Sequence, residues 1–187
     1  RIMSRDYDWP MRFALMVGIV IFALVLTVYR GSHQPKVGDK VDLPALTLLD
    51  GQHLPAGYFH GKPLMVEYWA SWCSYCWEQD SYLESLSLRT RGEGLDILAV
   101  SVDHHASDAR AYIRKHQHTF SVVMQSGKLR RLFGSPQIIP ELFVITGDGR
   151  VAEIIHGQTS SADILGLARY ARTHGDGGHA LKTYRSY

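Results

Sequence analysis

Hydrophobic residues fall along this chain in three rhythms. From Phe13 to Val28 they form one block, FALMVGIVIFALVLTV, sixteen residues without a charge. Further on they gather in short continuous runs. Leu64 to Trp69 (LMVEYW) and Leu95 to Val102 (LDILAVSV) read as buried strands, the second opened by the Gly92-Glu93-Gly94 breaker. Between and after these runs the spacing turns helical. The pattern predicts a helix from about Tyr75 to Arg89 and another over Ser107 to His116 with Ser107 as N-cap. A short strand follows at Ser121 to Met124, then a short helix at Gly127 to Phe133. Glu141 to Ile145 and Val151 to Ile155 form a hairpin across Gly147-Asp148-Gly149. Ser161 to Arg172 closes the pattern as a helix with Ile164, Leu165, Leu167 and Ala168 on one side. An opening hairpin is expected from Val41 to Leu49 and Gln52 to Leu54, around the turn dipeptide Asp50-Gly51. Strand–helix alternation that ends in a hairpin and a helix argues for an α/β domain with a mixed sheet.

The uncharged block differs from everything after it. As a helix it would extend roughly 24 Å, short of the ~30 Å hydrocarbon core. Trp9 and Tyr29 flank it as interfacial aromatics, and Arg12 and Arg30 can snorkel. With these flanks it can span a membrane. Thr27-Val28-Tyr29-Arg30-Gly31 offers no small-x-small cleavage site, which favours an uncleaved signal anchor over a removed signal peptide. A buried core helix is the alternative. Basic residues are nearly balanced across the block (Arg1, Arg5 and Arg12 against Arg30, Lys36 and Lys40), so charge alone does not orient it. The chain divides into a short tail (1–12), the anchor (13–29), a polar linker (30–40), one domain (41–173) and a C-terminal tail (174–187) low in apolar residues.

Composition narrows the function. The 187 residues, 45% hydrophobic and 20% charged, fit one ordinary domain plus its extra segments. A net charge of +2 gives no electrostatic case for nucleic acid. Ten histidines are scattered and read mostly as exposed polar residues.

The two cysteines carry the chemistry. Cys73 and Cys76 stand two residues apart in Trp69-Ala70-Ser71-Trp72-Cys73-Ser74-Tyr75-Cys76, where a strand gives way to a helix. Thiols at this spacing can close a small disulfide at a helix N-terminus. The helix dipole and its free N–H groups stabilise a thiolate there, and two-electron exchange with other dithiols becomes possible. A structural zinc site normally needs four ligands, and there is no further cysteine. A purely structural disulfide over so short a loop gains little entropy. Glu67 is a carboxylate inside an apolar strand, on the Met65 face. Burial would raise its pKa and suit it to take a proton from Cys76.

WASWCSYC after a hydrophobic strand, SVDHH with AYIRKHQHTFSVV, and IIPELFVITGDGRV together resemble the thioredoxin fold. Within it, residues 37–172 resemble the bacterial TlpA/ResA-like membrane-anchored thiol-disulfide oxidoreductases. The resemblance implies a thioredoxin-like α/β fold, a central mixed sheet flanked by helices, behind an N-terminal transmembrane helix. It implies a periplasmic domain on the bacterial inner membrane, exchanging disulfides with protein substrates, more in the reducing direction. A membrane electron donor or oxidant would be its partner, and no metal or organic cofactor is required. By the same resemblance Cys73 is the attacking cysteine, Cys76 the buried resolving one, and Glu67 matches an acidic position of thioredoxins. Pro140 takes the place of a cis-proline that exposes the Ile139 backbone to substrate; Pro136 is a weaker candidate. Trp72 would shield the disulfide, and Ser74 and Tyr75 would tune its potential. Cytochrome c maturation is among the processes that use such chemistry.

The chain departs from that pattern at three places. Ser74-Tyr75 stands where many relatives have proline. Trp77-Glu78-Gln79-Asp80 follows Cys76 where a basic residue is common, and Glu78 or Asp80 near the dithiol would oppose a thiolate. Glu141 follows Pro140 and would bring negative charge to the substrate groove. Three other readings stay open on the residues alone: a thiol peroxidase of the same fold, a copper-binding metallochaperone using Cys73, Cys76 and a histidine such as His156, and a non-catalytic adaptor.

Overall fold

The computed structural model describes residues 9–30 and 34–172, with the side chains of 25–30 and 172 left undescribed. The predicted C-terminal tail and most of the N-terminal tail lie outside these residues. The chain opens with helix α1 (Trp9–Arg30). Trp9, Phe13, Leu15, Ile19 and Phe22 on it are exposed. Among the described residues no helix meets the length and apolarity of a membrane crossing. The described side chains of α1 end at Leu24, whereas the uncharged run continues to Val28.

A two-stranded hairpin, β1 (Leu46–Thr47) and β2 (His53–Leu54), precedes the main sheet. The sheet is built from β3 (Leu64–Trp69), β4 (Asp96–Ser101), β5 (Ser121–Met124), β6 (Glu141–Ile145) and β7 (Val151–His156), in the order β5-β4-β3-β6-β7. β3, β4 and β5 are parallel, joined through α2 (Ser74–Thr90) and α3 (Ala106–His116). β6 and β7 run antiparallel and complete a mixed sheet. α4 (Gly127–Phe133) and α5 (Ser161–Gly166) complete the domain, and a 3-10 turn (Leu167–Arg172) follows α5.

Strand alternation divides the core into two layers. Met65, Trp69, Ile97, Ala99, Leu142 and Val144 point to one face, where Leu83 and Leu86 of α2, Tyr112 of α3 and Ile164 of α5 cover them. Val66, Tyr68, Leu98, Val100 and Phe143 point to the other, under Leu129 and Phe133 of α4 and Leu46 and Leu54 of the hairpin. β3 is buried along its whole length, at the centre of the sheet. Its apolar run is continuous because both faces are covered. Glu67 therefore enters the interior.

The predicted elements are present, with three differences. α3 begins at Ala106 with His105 as N-cap and no side-chain cap; Ser107 instead turns its hydroxyl to Asp108. The closing helix changes to 3-10 after Gly166, where glycine weakens the α-form. The polar segment ahead of the domain is docked from Gln34 onward. Gly38 N–H donates to Val151 O at 2.8 Å, Val151 N–H to Asp39 O at 2.9 Å, and Val41 N–H to Gly149 O at 2.8 Å. Gly134, at φ +76°, lies so close that a Cβ would meet Gln34 Cγ at 2.6 Å.

Candidate active site

β3 delivers the chain to Ala70-Ser71-Trp72, and Cys73 then caps α2. Asp103, just past β4, fixes this passage. Its carboxylate accepts from Ser71 N–H at 3.1 and 3.2 Å, from Ser71 Oγ at 2.8 Å and from Ser101 Oγ at 2.8 Å. Trp77 Nε1 donates to Ser71 O at 3.1 Å from the other side. The loop ahead of the first cysteine is thus held by β4 and by α2 together.

Cys73 and Cys76 form a disulfide, with Cα atoms 5.3 Å apart. Cys76 N–H points at Cys73 Sγ, 3.2 Å away. That N–H belongs to the unsatisfied first turn of α2, where a negative sulfur is stabilised. Cys73 is 6% exposed and Cys76 fully buried, so the first sulfur is the one an incoming molecule can reach. The Ile139–Pro140 peptide is cis, and the Ile139 carbonyl oxygen lies 3.8 Å from Cys73 Sγ. Trp72 and Tyr75 are each 65% exposed, and Ser74, Trp77 and Ile138 are also exposed. Trp72 therefore turns most of its surface to solvent. Together these side chains make a largely apolar rim around the disulfide.

Glu67, on the same face of β3 as Met65 and Trp69, is fully buried. Gln79 Nε2 donates to its Oε1 at 2.9 Å, and Gln79 Oε1 accepts from Thr159 N–H at 3.1 Å. Burial, then the neighbouring Asp80 carboxylate, holds the Glu67 pKa well above the ordinary range. Burial also raises Asp80, against the pull of the Tyr112 hydroxyl, which donates to Asp80 Oδ2 at 2.6 Å.

Glu141 faces inward. It is buried, 2.7 Å from His156 Nδ1 through Oε1 and accepting from Gln34 Nε2 through Oε2 at 2.9 Å. Burial raises its pKa, and His156 and Gln34 oppose that shift. His156 is thus occupied by Glu141, and no group of three potential metal ligands exists among the described residues. Glu78 is exposed and bonded to Tyr82 and Gln158, away from the sulfurs. Of the two acids after Cys76, only Asp80 turns inward.

Sequence reasoning missed Gln79, Asp103, Tyr112 and His118. The i+3 and i+4 spacing of Gln79 and Asp80 from Cys76 was an available signal, since it places them on one helix face. The contacts of Asp103, Tyr112 and His118 come from other elements, and no local pattern announces them. His118 is an exception among the mostly exposed histidines, since only 5% of its side chain is accessible.

A disulfide between vicinal cysteines at a helix N-terminus, on a sheet of this order, defines a thiol-disulfide oxidoreductase of thioredoxin fold. A family model described as Redoxin matches residues 36–166, and the chain belongs to the Redoxin family. Thiol-disulfide oxidoreductase ResA of Bacillus cereus is 22% identical over 154 residues, 81% of this chain and 88% of that protein. ResA of Geobacillus kaustophilus is 27% identical over 168 residues, 87% of this chain and 95% of that one. The crystal structure of a thiol:disulfide interchange protein of the thioredoxin family from Chlorobium tepidum TLS has a TM-score of 0.66 at 21% identity. It covers 75% of this chain and 99% of its own, and shares the fold.

Proposed function

We propose that this protein is a membrane-anchored, extracytoplasmic protein-disulfide reductase. The observation that carries the reading is the Cys73–Cys76 disulfide at the N-terminus of α2, with Cys73 beside the Ile139 carbonyl and Cys76 buried. Reduced Cys73 attacks a substrate disulfide as the thiolate, stabilised by the first turn of α2. Substrate lies against Ile139, Pro140 and the rim of Trp72, Ser74 and Tyr75, pairing with exposed backbone as an added strand. Glu67 takes the Cys76 proton, and Cys76 then attacks Cys73 Sγ and releases reduced substrate. Atoms and electrons balance without a cofactor: two thiols become one disulfide as one substrate disulfide becomes two thiols.

The acids beneath the site favour the reducing direction. A carboxylate near the dithiol opposes the thiolate, which destabilises the reduced form and lowers the potential. A membrane electron donor would restore the dithiol. Membrane attachment is supported by the exposed apolar side chains of α1 and by the uncharged run to Val28 with its aromatic and arginine flanks. The ResA relatives, named thiol-disulfide oxidoreductases, support the same activity.

Single substitutions test the reading. Cys73→Ser abolishes reduction of a protein disulfide, and Cys76→Ser accumulates a mixed disulfide on Cys73, seen as a substrate adduct on a non-reducing gel. Equal loss of turnover in both variants, with no adduct from the second, would contradict these roles for the two cysteines.

A further inference from the structure

Beside Glu67 runs a line of further buried polar groups, Asp80, Tyr112 and His118, that dithiol exchange as described does not use. Glu67 Oε2 and Asp80 Oδ1 are both buried and without a hydrogen-bond donor, and each carboxyl shifts the pKa of the other. Two carboxylates so placed, both ionised and both only acceptors, would leave two lone pairs unsatisfied and two like charges in low dielectric. One proton between them removes both costs. Asp80 has the better support for the remaining charge, because Tyr112 OH donates to its Oδ2 at 2.6 Å.

The line continues outward. His118 Nε2 is 3.9 Å from Asp80 Oδ2, and His118 Nδ1 is 3.7 Å from Glu84 Oε2. Both ring nitrogens of His118 lack a hydrogen-bond partner, so neither is committed to a fixed bond. Glu84 is 16% accessible and is held by Thr119 N–H and Oγ1 at 2.7 and 2.6 Å. Burial lowers the His118 pKa, with Glu84 opposing and His116, stacked 5.9 Å away, adding to it. The ring thus stands between two carboxylates with neither nitrogen held in a hydrogen bond, placed to carry a proton.

We propose that Glu67 and Asp80 share one proton and act as a single base for Cys76, with Asp80 the positioning residue through which the accepted proton leaves by way of His118 and Glu84. The inference rests on the exchange chemistry above and deepens the part assigned to Glu67. In the resolving step the Cys76 thiol gives its proton to the pair, which passes from one proton to two. The Cys76 sulfur then bonds to Cys73 Sγ, the Cys73–substrate S–S bond breaks, and its electron pair leaves on the substrate sulfur. The pair returns to one proton when the extra one passes from Asp80 to His118, then to Glu84 and water. The groups that contact the pair are Gln79 from α2, Tyr112 from α3, and His118 from the segment leading to β5.

The experiment uses the full reduced chain and an aromatic disulfide whose released thiol is coloured, followed by stopped flow across pH. Release of the first thiol reports attack by Cys73; release of the second reports resolution by Cys76. Asp80→Asn leaves Glu67 alone, raised by burial and without an outlet. The second phase is expected to slow at least tenfold relative to the first at neutral pH, and its acidic limb to move to higher pH. Tyr112→Phe removes the donor that favours charge on Asp80 and is expected to move the same limb in the same direction; it stands in for Asp80→Asn if that variant does not fold. A second phase whose pH profile matches the native one in these variants would overturn the proposal. Absence of any Cys76-dependent second phase in the native chain would instead overturn the exchange reading itself.

Discussion

Gln79 donates to Glu67 at 2.9 Å across twelve residues of sequence, tying α2 to the central strand one turn beyond Cys76. The contact gives the buried carboxyl an orientation and leaves its second oxygen without a donor. Burial, against the pull of that bond, makes Glu67 a destabilising group at high pH. The Glu67 pKa is raised in the folded state, so its contribution to stability is full below the ordinary carboxylate pKa of about 4 and is lost as pH rises through the folded value. Glu67→Gln carries no charge at any pH. In urea unfolding of the oxidised chain, the midpoint of the native protein falls between about pH 5 and pH 9, and that of the variant falls less. Parallel declines would mean that Glu67 does not titrate in this range.

Asp103 holds the passage into Cys73 with bonds from Ser71 and Ser101. Asp103→Ala leaves the Ser71 N–H without its acceptor. Loss of a charge-assisted set of this kind costs about 1.5–3 kcal/mol. A drop of roughly 4–10 °C in melting temperature follows for a domain of this size, read by circular dichroism. Thiol exchange should slow in parallel, because Cys73 loses its fixed approach. An unchanged melting temperature would show that the loop is held by Trp77 alone.

Gly134 tests the docking of Gln34. At φ +76° a side chain is strained, and the added carbon meets Gln34 at its backbone nitrogen as well as its side chain. Gly134→Ala is expected to cost more than about 1 kcal/mol by urea unfolding. Gln34→Ala leaves Glu141 Oε2 without a donor and should cost about 1–3 kcal/mol. A neutral result at both positions would mean that the segment before Lys36 does not pack on the domain.

Much of this fold is legible in the sequence because it rests on local periodicity. β5, α4 and β6 have the bounds their hydrophobic patterns predict. The vicinal cysteines name the chemistry, and Pro140 is the cis residue. Contacts between distant segments are not legible. Asp103 meets Ser71 across 32 residues, and Tyr112 meets Asp80 across the same separation. Nothing near either residue marks it as a partner. Glu141 departs from expectation for the same reason: its charge turns inward because His156 and Gln34 receive it, and both are remote in sequence. The polar segment ahead of Val41 has the composition of a free linker because its bonds to Gly149 and Val151 are made by backbone, which leaves no trace in composition.

The equilibrium reduction potential of the Cys73–Cys76 pair tests the central claim most directly. It is measured in defined thiol buffers, with tryptophan fluorescence as the signal. The acids beneath the dithiol predict a value at the reducing end of the thioredoxin-fold range, about −250 mV or lower. A value near about −150 mV, in the range of oxidants and isomerases, would contradict the assignment as a reductase.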